Sequence, residues 1–81
     1  MTRIPAWKFE AVRAAILASL VEQDVPFSEL NDAVRGYLDE NDYHRLGSLG
    51  WHVTTVKLEM EVRGEIERLP GNGPQVIRRV T

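Results

Sequence analysis

An α+β domain, mostly helical, is predicted by two observations. Apolar residues recur at helical spacing in three stretches between Lys8 and Arg63, and two short segments rich in Ile, Leu and Val follow, separated by a dense turn cluster. The length of 81 residues allows a single unit, residues 1–81, with no second domain. Hydrophobic residues make up 43% of the chain, enough to drive folding around one core. A chain this short buries only about 60% of its unfolded surface, so its stability is modest unless something supplements the core. Zero cysteines exclude disulfides, thiolate metal sites and cysteine chemistry, which leaves another chain as the supplement.

The elements follow in order. Pro5 stands where a first-turn proline is tolerated, and from Lys8 the residues Phe9, Val12, Ile16 and Leu20 repeat at helical spacing with no breaker before Asp24. This is helix one. Its other side, Ala11, Ala14, Ala15 and Ala18, either lies bland in water or admits a second helix at close range. Ser28 is read as the N-cap of helix two, with Glu29 and Asp32 where the helix dipole favours negative charge. Leu30, Val34, Tyr37 and Leu38 form its buried stripe, and Gly36 within it marks a close helix crossing. Asp39 to Gly47 reads as a polar connection. Helix three is expected from Trp51 to Arg63, ended by Gly64 in the position a C-terminal cap favours. Glu65 to Leu69 and Gln75 to Val80 then form a β-hairpin around the Pro70 to Pro74 turn. Three helices followed by a C-terminal hairpin is the order of a winged helix-turn-helix, whose third helix and wing are the usual contact elements.

Helix three has two apolar arcs. At about 100° per residue, Leu49, Val53, Val56 and Met60 share one, the natural core side. Trp51, Thr55, Leu58 and Val62 share a second, nearly opposite, flanked by Thr54, Lys57 and Glu61 on one side and by His52 and Glu59 on the other. A small domain hides only one of them. The second arc is therefore read as a protein interface through Trp51, Leu58 and Val62, with a two-fold homodimer the simplest partner. In the alternative, the Asp39 to Gly50 connection or a terminus folds over it.

Net charge is -2, which speaks against nucleic acid in bulk. The distribution is less one-sided, because from His44 onward bases outnumber acids. A DNA-binding surface is expected to use Ser48, His52, Thr54 and Thr55 around the start of helix three, Lys57 further along it, and the wing arginines Arg68, Arg78 and Arg79. Against it, Arg68 and Arg78 are also read as strand residues balanced by Glu65 and Glu67 across the hairpin.

Catalytic chemistry is not expected. His44 and His52 stand eight apart, outside metal-ligand spacings, and Asp42 beside His44 has no third group to complete a nucleophilic arrangement. Ser48, in Gly47-Ser48-Leu49-Gly50, does not sit in a nucleophile elbow, and Gly71-Asn72-Gly73 opens no helix, so it is a turn. No metal, cofactor, small-molecule substrate or membrane is implied, and a cytoplasmic location is expected from the lack of an apolar span or signal segment.

Two stretches carry a resemblance. Lys8 to Leu17 is similar to the first helix of a small uncharacterised bacterial family of winged-helix-like proteins, and Gly50 to Glu67, from Gly-Trp through Arg63-Gly64, resembles its second signature. Arg63 to Arg68 also resembles the helix-to-wing junction of winged-helix transcription regulators. The resemblance implies a winged-helix fold and a bacterial origin, and it assigns no reaction, ligand or site residue. One departure is that the connection before helix three exceeds the three or four residues of a standard helix-turn-helix. The functional expectation is a non-enzymatic winged-helix module, regulator-like and DNA-binding as a homodimer; the alternative is a protein-interaction module docking through helix three without nucleic acid.

Overall fold

The computed structural model describes every residue except 1–3, 72, 74 and 81. Helix α1 spans Ala6–Ser19, strand β1 Val25–Pro26, α2 Phe27–Arg35, α3 Glu40–Leu46, α4 Leu49–Arg63, β2 Ile66–Arg68 and β3 Val76–Arg79. The strands form one antiparallel sheet in the order β1-β3-β2. The coarse expectation of a mostly helical α+β chain holds, with four helices among the described residues where three were expected.

Pro5 is the N-cap of α1, its carbonyl accepting from the Lys8 and Phe9 amides at 3.0 and 3.1 Å. Val12 and Ile16 are fully buried and Leu20 nearly so, as the spacing predicts. Ala15 is buried as well, so part of the alanine side does admit a neighbour, and α1 packs on both α2 and α4. The helix stops at Ser19, whose hydroxyl donates back to the Ala15 carbonyl at 2.8 Å, well short of Asp24. The chain must turn there to bring Val25 opposite Ile77 and Pro26 opposite Val76 in the sheet.

Helix α2 begins one residue before the expected cap: Pro26 is the N-cap and Ser28 lies inside the helix. Leu30 and Val34 are buried as expected, but the helix ends at Arg35, which leaves Tyr37 61% exposed. Gly36 marks no close crossing, since a Cβ there meets only the Ala33 carbonyl oxygen at 3.5 Å, ordinary contact.

The supposed polar connection is largely a helix. The Asp39 carboxylate accepts from the Asn41 amide at 2.7 Å and starts α3, Leu46 is buried in the core, and Gly47 at φ 89° ends it. The Leu46 carbonyl accepts from Lys8 Nζ at 3.2 Å, which ties the end of α3 to α1. Helix α4 then starts two residues earlier than expected, with the Ser48 hydroxyl accepting from the Trp51 amide at 3.3 Å.

Gly64 closes α4 as predicted. At φ 77° it is left-handed, and the Gly64 and Glu65 amides donate back to Glu61 and Met60, a Schellman arrangement. In the hairpin Ile66 faces Arg79, Glu67 faces Arg78 and Arg68 faces Ile77. Of the expected turn, Asn72 and Pro74 lie outside the described residues. Val25, Ile66 and Ile77 join Val53, Val56 and Met60 in one core cluster.

Candidate interaction surface on the longest helix and the hairpin

The rotation of α4 follows the core arc. Val53, Val56 and Met60 have no exposed surface and Leu49 packs against the same cluster. The opposite arc faces solvent, with Trp51 45%, Leu58 53% and Val62 82% exposed. Neither α3 nor any other described segment folds over it. Thr54 lies exposed between Trp51 and Leu58, and Thr55 is half-buried on the side toward α1.

Two residues expected to meet DNA are not on this surface. His52, expected on the helix surface, is buried; its Nδ1 donates to the Ser48 carbonyl at 2.6 Å and its ring meets Trp51 edge-on. Lys57 is buried beneath α2, with Nζ 3.1 Å from Glu61 Oε1 and 4.7 Å from the centre of the Phe27 ring. Its charge is matched internally and its stem is packed, which withdraws it from phosphate. Ser48 is exposed, but its hydroxyl holds the first turn of α4.

The hairpin arginines divide. Arg78 pairs with Glu67 across the strands, the balance expected from sequence. Glu65, by contrast, pairs not with Arg68 but with Arg13 of α1, whose Nη2 lies 2.5 Å from Oε2 and whose Nε reaches both carboxylate oxygens at 3.0 and 3.1 Å. The Arg13 hydrogen bonds hold the Glu65 carboxyl below the usual carboxylate range, and the same bonds raise the Arg13 guanidinium. Sequence reasoning missed this fork, because 52 residues separate its partners. Arg68 and Arg79 are exposed and form no ion pair among the described residues. Each stands opposite a buried isoleucine in the hairpin register.

Beside the outer arc runs a groove of about 510 Å3 between the start of α1 and the second half of α4, lined by Ile4, Ala6, Phe9, Thr55, Glu59 and Arg63. The Arg63 guanidinium lies 4.8 Å from the Phe9 ring centre and pairs with Glu59 at 3.3 Å. Among the described residues no His, Cys, Asp or Glu group is arranged to hold a metal ion, and no helix is long and apolar enough to cross a membrane.

Fold and surface together define a small α+β domain whose longest helix turns one apolar arc inward and another to solvent. The chain belongs to the protein family described as a family of unknown function (DUF6958), whose family model matches residues 1–77. No curated protein and no solved structure matches it significantly.

Proposed function

We propose that this chain is a non-enzymatic protein-interaction module, winged-helix-like in architecture and cytoplasmic, which acts as a homodimer joined through the outward face of α4. The observation that carries the reading is the exposure of Trp51, Leu58 and Val62 on a helix whose other arc is fully buried. Leaving three large apolar side chains in water on so small a body is costly without a partner. Glu59 and Glu61 flank the ridge, and no Lys or Arg reaches out from its centre, so its chemistry suits protein better than phosphate. The winged-helix part of the reading is supported by a hairpin that directly follows the longest helix and by the antiparallel pairing of β1 onto that hairpin. Sedimentation velocity tests it: the chain is expected to be a dimer at micromolar concentration and Leu58→Glu a folded monomer. A wild-type chain that stays monomeric refutes it.

One observation favours DNA binding as a second reading. Arg68 and Arg79 project from the hairpin without ion-pair partners among the described residues, and Ser48 and Thr54 are exposed near the start of α4. In sequence Glu59, Glu61, Glu65 and Glu67 fall between these ends, so acids interrupt the bases. On this reading random duplex DNA binds with an affinity that falls steeply with salt and falls again on Arg68→Ala with Arg79→Ala. Absence of binding in dilute salt removes it.

A further inference from the structure

We infer that Trp51 of one copy seats in the groove between α1 and α4 of a second copy, with the two α4 helices antiparallel about a two-fold axis; the inference rests on the self-association proposed above. Area gives the first reason. A stable interface covers about 800 Å2 on each partner, and three partly exposed side chains fall well short of that. The contact must therefore spread beyond the ridge. On the α2 side of the ridge stand Gly50, Thr54 and Glu61, with Asn31 beyond Gly50, all polar or bare. On the α1 side the surface continues through Thr55 to Ile4, Ala6 and Phe9. Apolar ground extends in that direction.

Charge sets the orientation. Leu49 to Val56 contains no Asp, Glu, Lys or Arg, whereas Lys57 to Arg63 holds all four such residues of α4. Parallel pairing lays Glu59 and Glu61 beside their own copies. Antiparallel pairing lays the charged half of each helix over the neutral half of the other and opposes the two helix dipoles. The groove flanks the charged half, at Glu59 and Arg63. The partner side chain that reaches it must then come from the neutral half, where Trp51 is the one large exposed apolar residue.

The groove suits an indole. The Arg63 guanidinium, which lies over the Phe9 ring, offers a planar cation on which an indole can stack, and Glu10 and Glu59 at the rim offer carboxylate acceptors for the indole N–H. Because the knob and the hole lie side by side on the same face, a two-fold axis satisfies both at once. A second copy of this chain therefore fills the site without any further partner.

The test combines sedimentation velocity of the full chain from roughly 1 to 200 µM with fluorescence of Trp7→Phe, in which Trp51 is the single tryptophan. The expected result is a blue shift of Trp51 emission over the same concentrations at which the mass doubles. Trp51→Ala, Thr55→Arg and Ala6→Arg each raise the dissociation constant at least tenfold, with circular dichroism unchanged. Ala6 is exposed at the groove's mouth, so its variant folds even if Thr55→Arg does not. The double variant Trp51→Ala with Ala6→Arg is no weaker than the weaker single, since both remove one contact. Emission that does not move across the transition, or additive effects of the two substitutions, overturns the inference. A dimer broken by Leu58→Glu but indifferent to Trp51→Ala and Ala6→Arg leaves self-association standing and removes the groove; a wild-type monomer throughout removes both.

Discussion

Leu58 and Met60 stand two residues apart on α4 and face opposite ways, Leu58 53% exposed and Met60 fully buried. Truncating each to alanine separates the two arcs by their energetics. Met60→Ala opens a cavity in the core and is expected to destabilise the monomer by about 2–5 kcal/mol. That is a large share of the roughly 4–12 kcal/mol such a chain holds in total, and it lowers the urea midpoint by at least about 1 M. Leu58→Ala is expected to change monomer stability by less than about 0.5 kcal/mol. Its effect belongs to association. Burying a whole leucine contributes about 1.5–3 kcal/mol, so burying the exposed half contributes about 1 kcal/mol per copy and about 2 per dimer, which is roughly 30-fold in dissociation constant. Urea titrations at a concentration where the protein is monomeric, paired with sedimentation at high concentration, read the two quantities separately. If Leu58→Ala costs as much monomer stability as Met60→Ala, the outer arc is already covered by its own chain, and the argument from the rotation of α4 fails.

Other expectations follow from single contacts. Ser48→Ala removes the cap of α4 and Gly64→Ala forces a side chain to φ 77°; each is expected to cost about 1 kcal/mol in thermal or urea unfolding. Glu65→Gln breaks the fork to Arg13. Because Glu65 is held below its ordinary value of about 4.3, its contribution is present above that pH and disappears as pH falls through the lowered value. The gap in urea midpoint between wild type and Glu65→Gln is therefore expected at pH 7 and should close in strong acid; a gap that persists there refutes the linkage. Lys57→Met keeps the apolar stem beneath α2 and is expected to cost under about 1 kcal/mol while leaving any DNA affinity unchanged, as a filter-binding titration reads.

The sequence was most legible where one residue type has one strong local use. Gly64 ends α4 because a left-handed turn there favours glycine, and the spacing of Val53, Val56 and Met60 locates the core face without reference to any other element. Helix α3 was not legible, because its seven residues bury only Leu46 and show no period. Strand β1 was not legible either: two residues, one of them proline, form a strand only because β3 is beside them. In the candidate site, the exposure of Trp51, Leu58 and Val62 follows from the rotation of the helix alone. The burial of Lys57 and His52 does not, because a helix angle near the boundary between arcs says nothing of the neighbours that cover it. For Lys57 that neighbour is Phe27, a contact that exists only in the folded chain.

Strand β3 is the last strand among the described residues and the middle one in the sheet. During synthesis, therefore, neither β1 nor β2 has a neighbour to pair with until residues 76–79 have left the ribosome. The helices can gather earlier, but Ile77, which closes the core against Val25, arrives only then. A chain cut a few residues before Val76 loses the whole sheet rather than one strand, so a released chain truncated there is expected to be digested by protease far faster than the intact one.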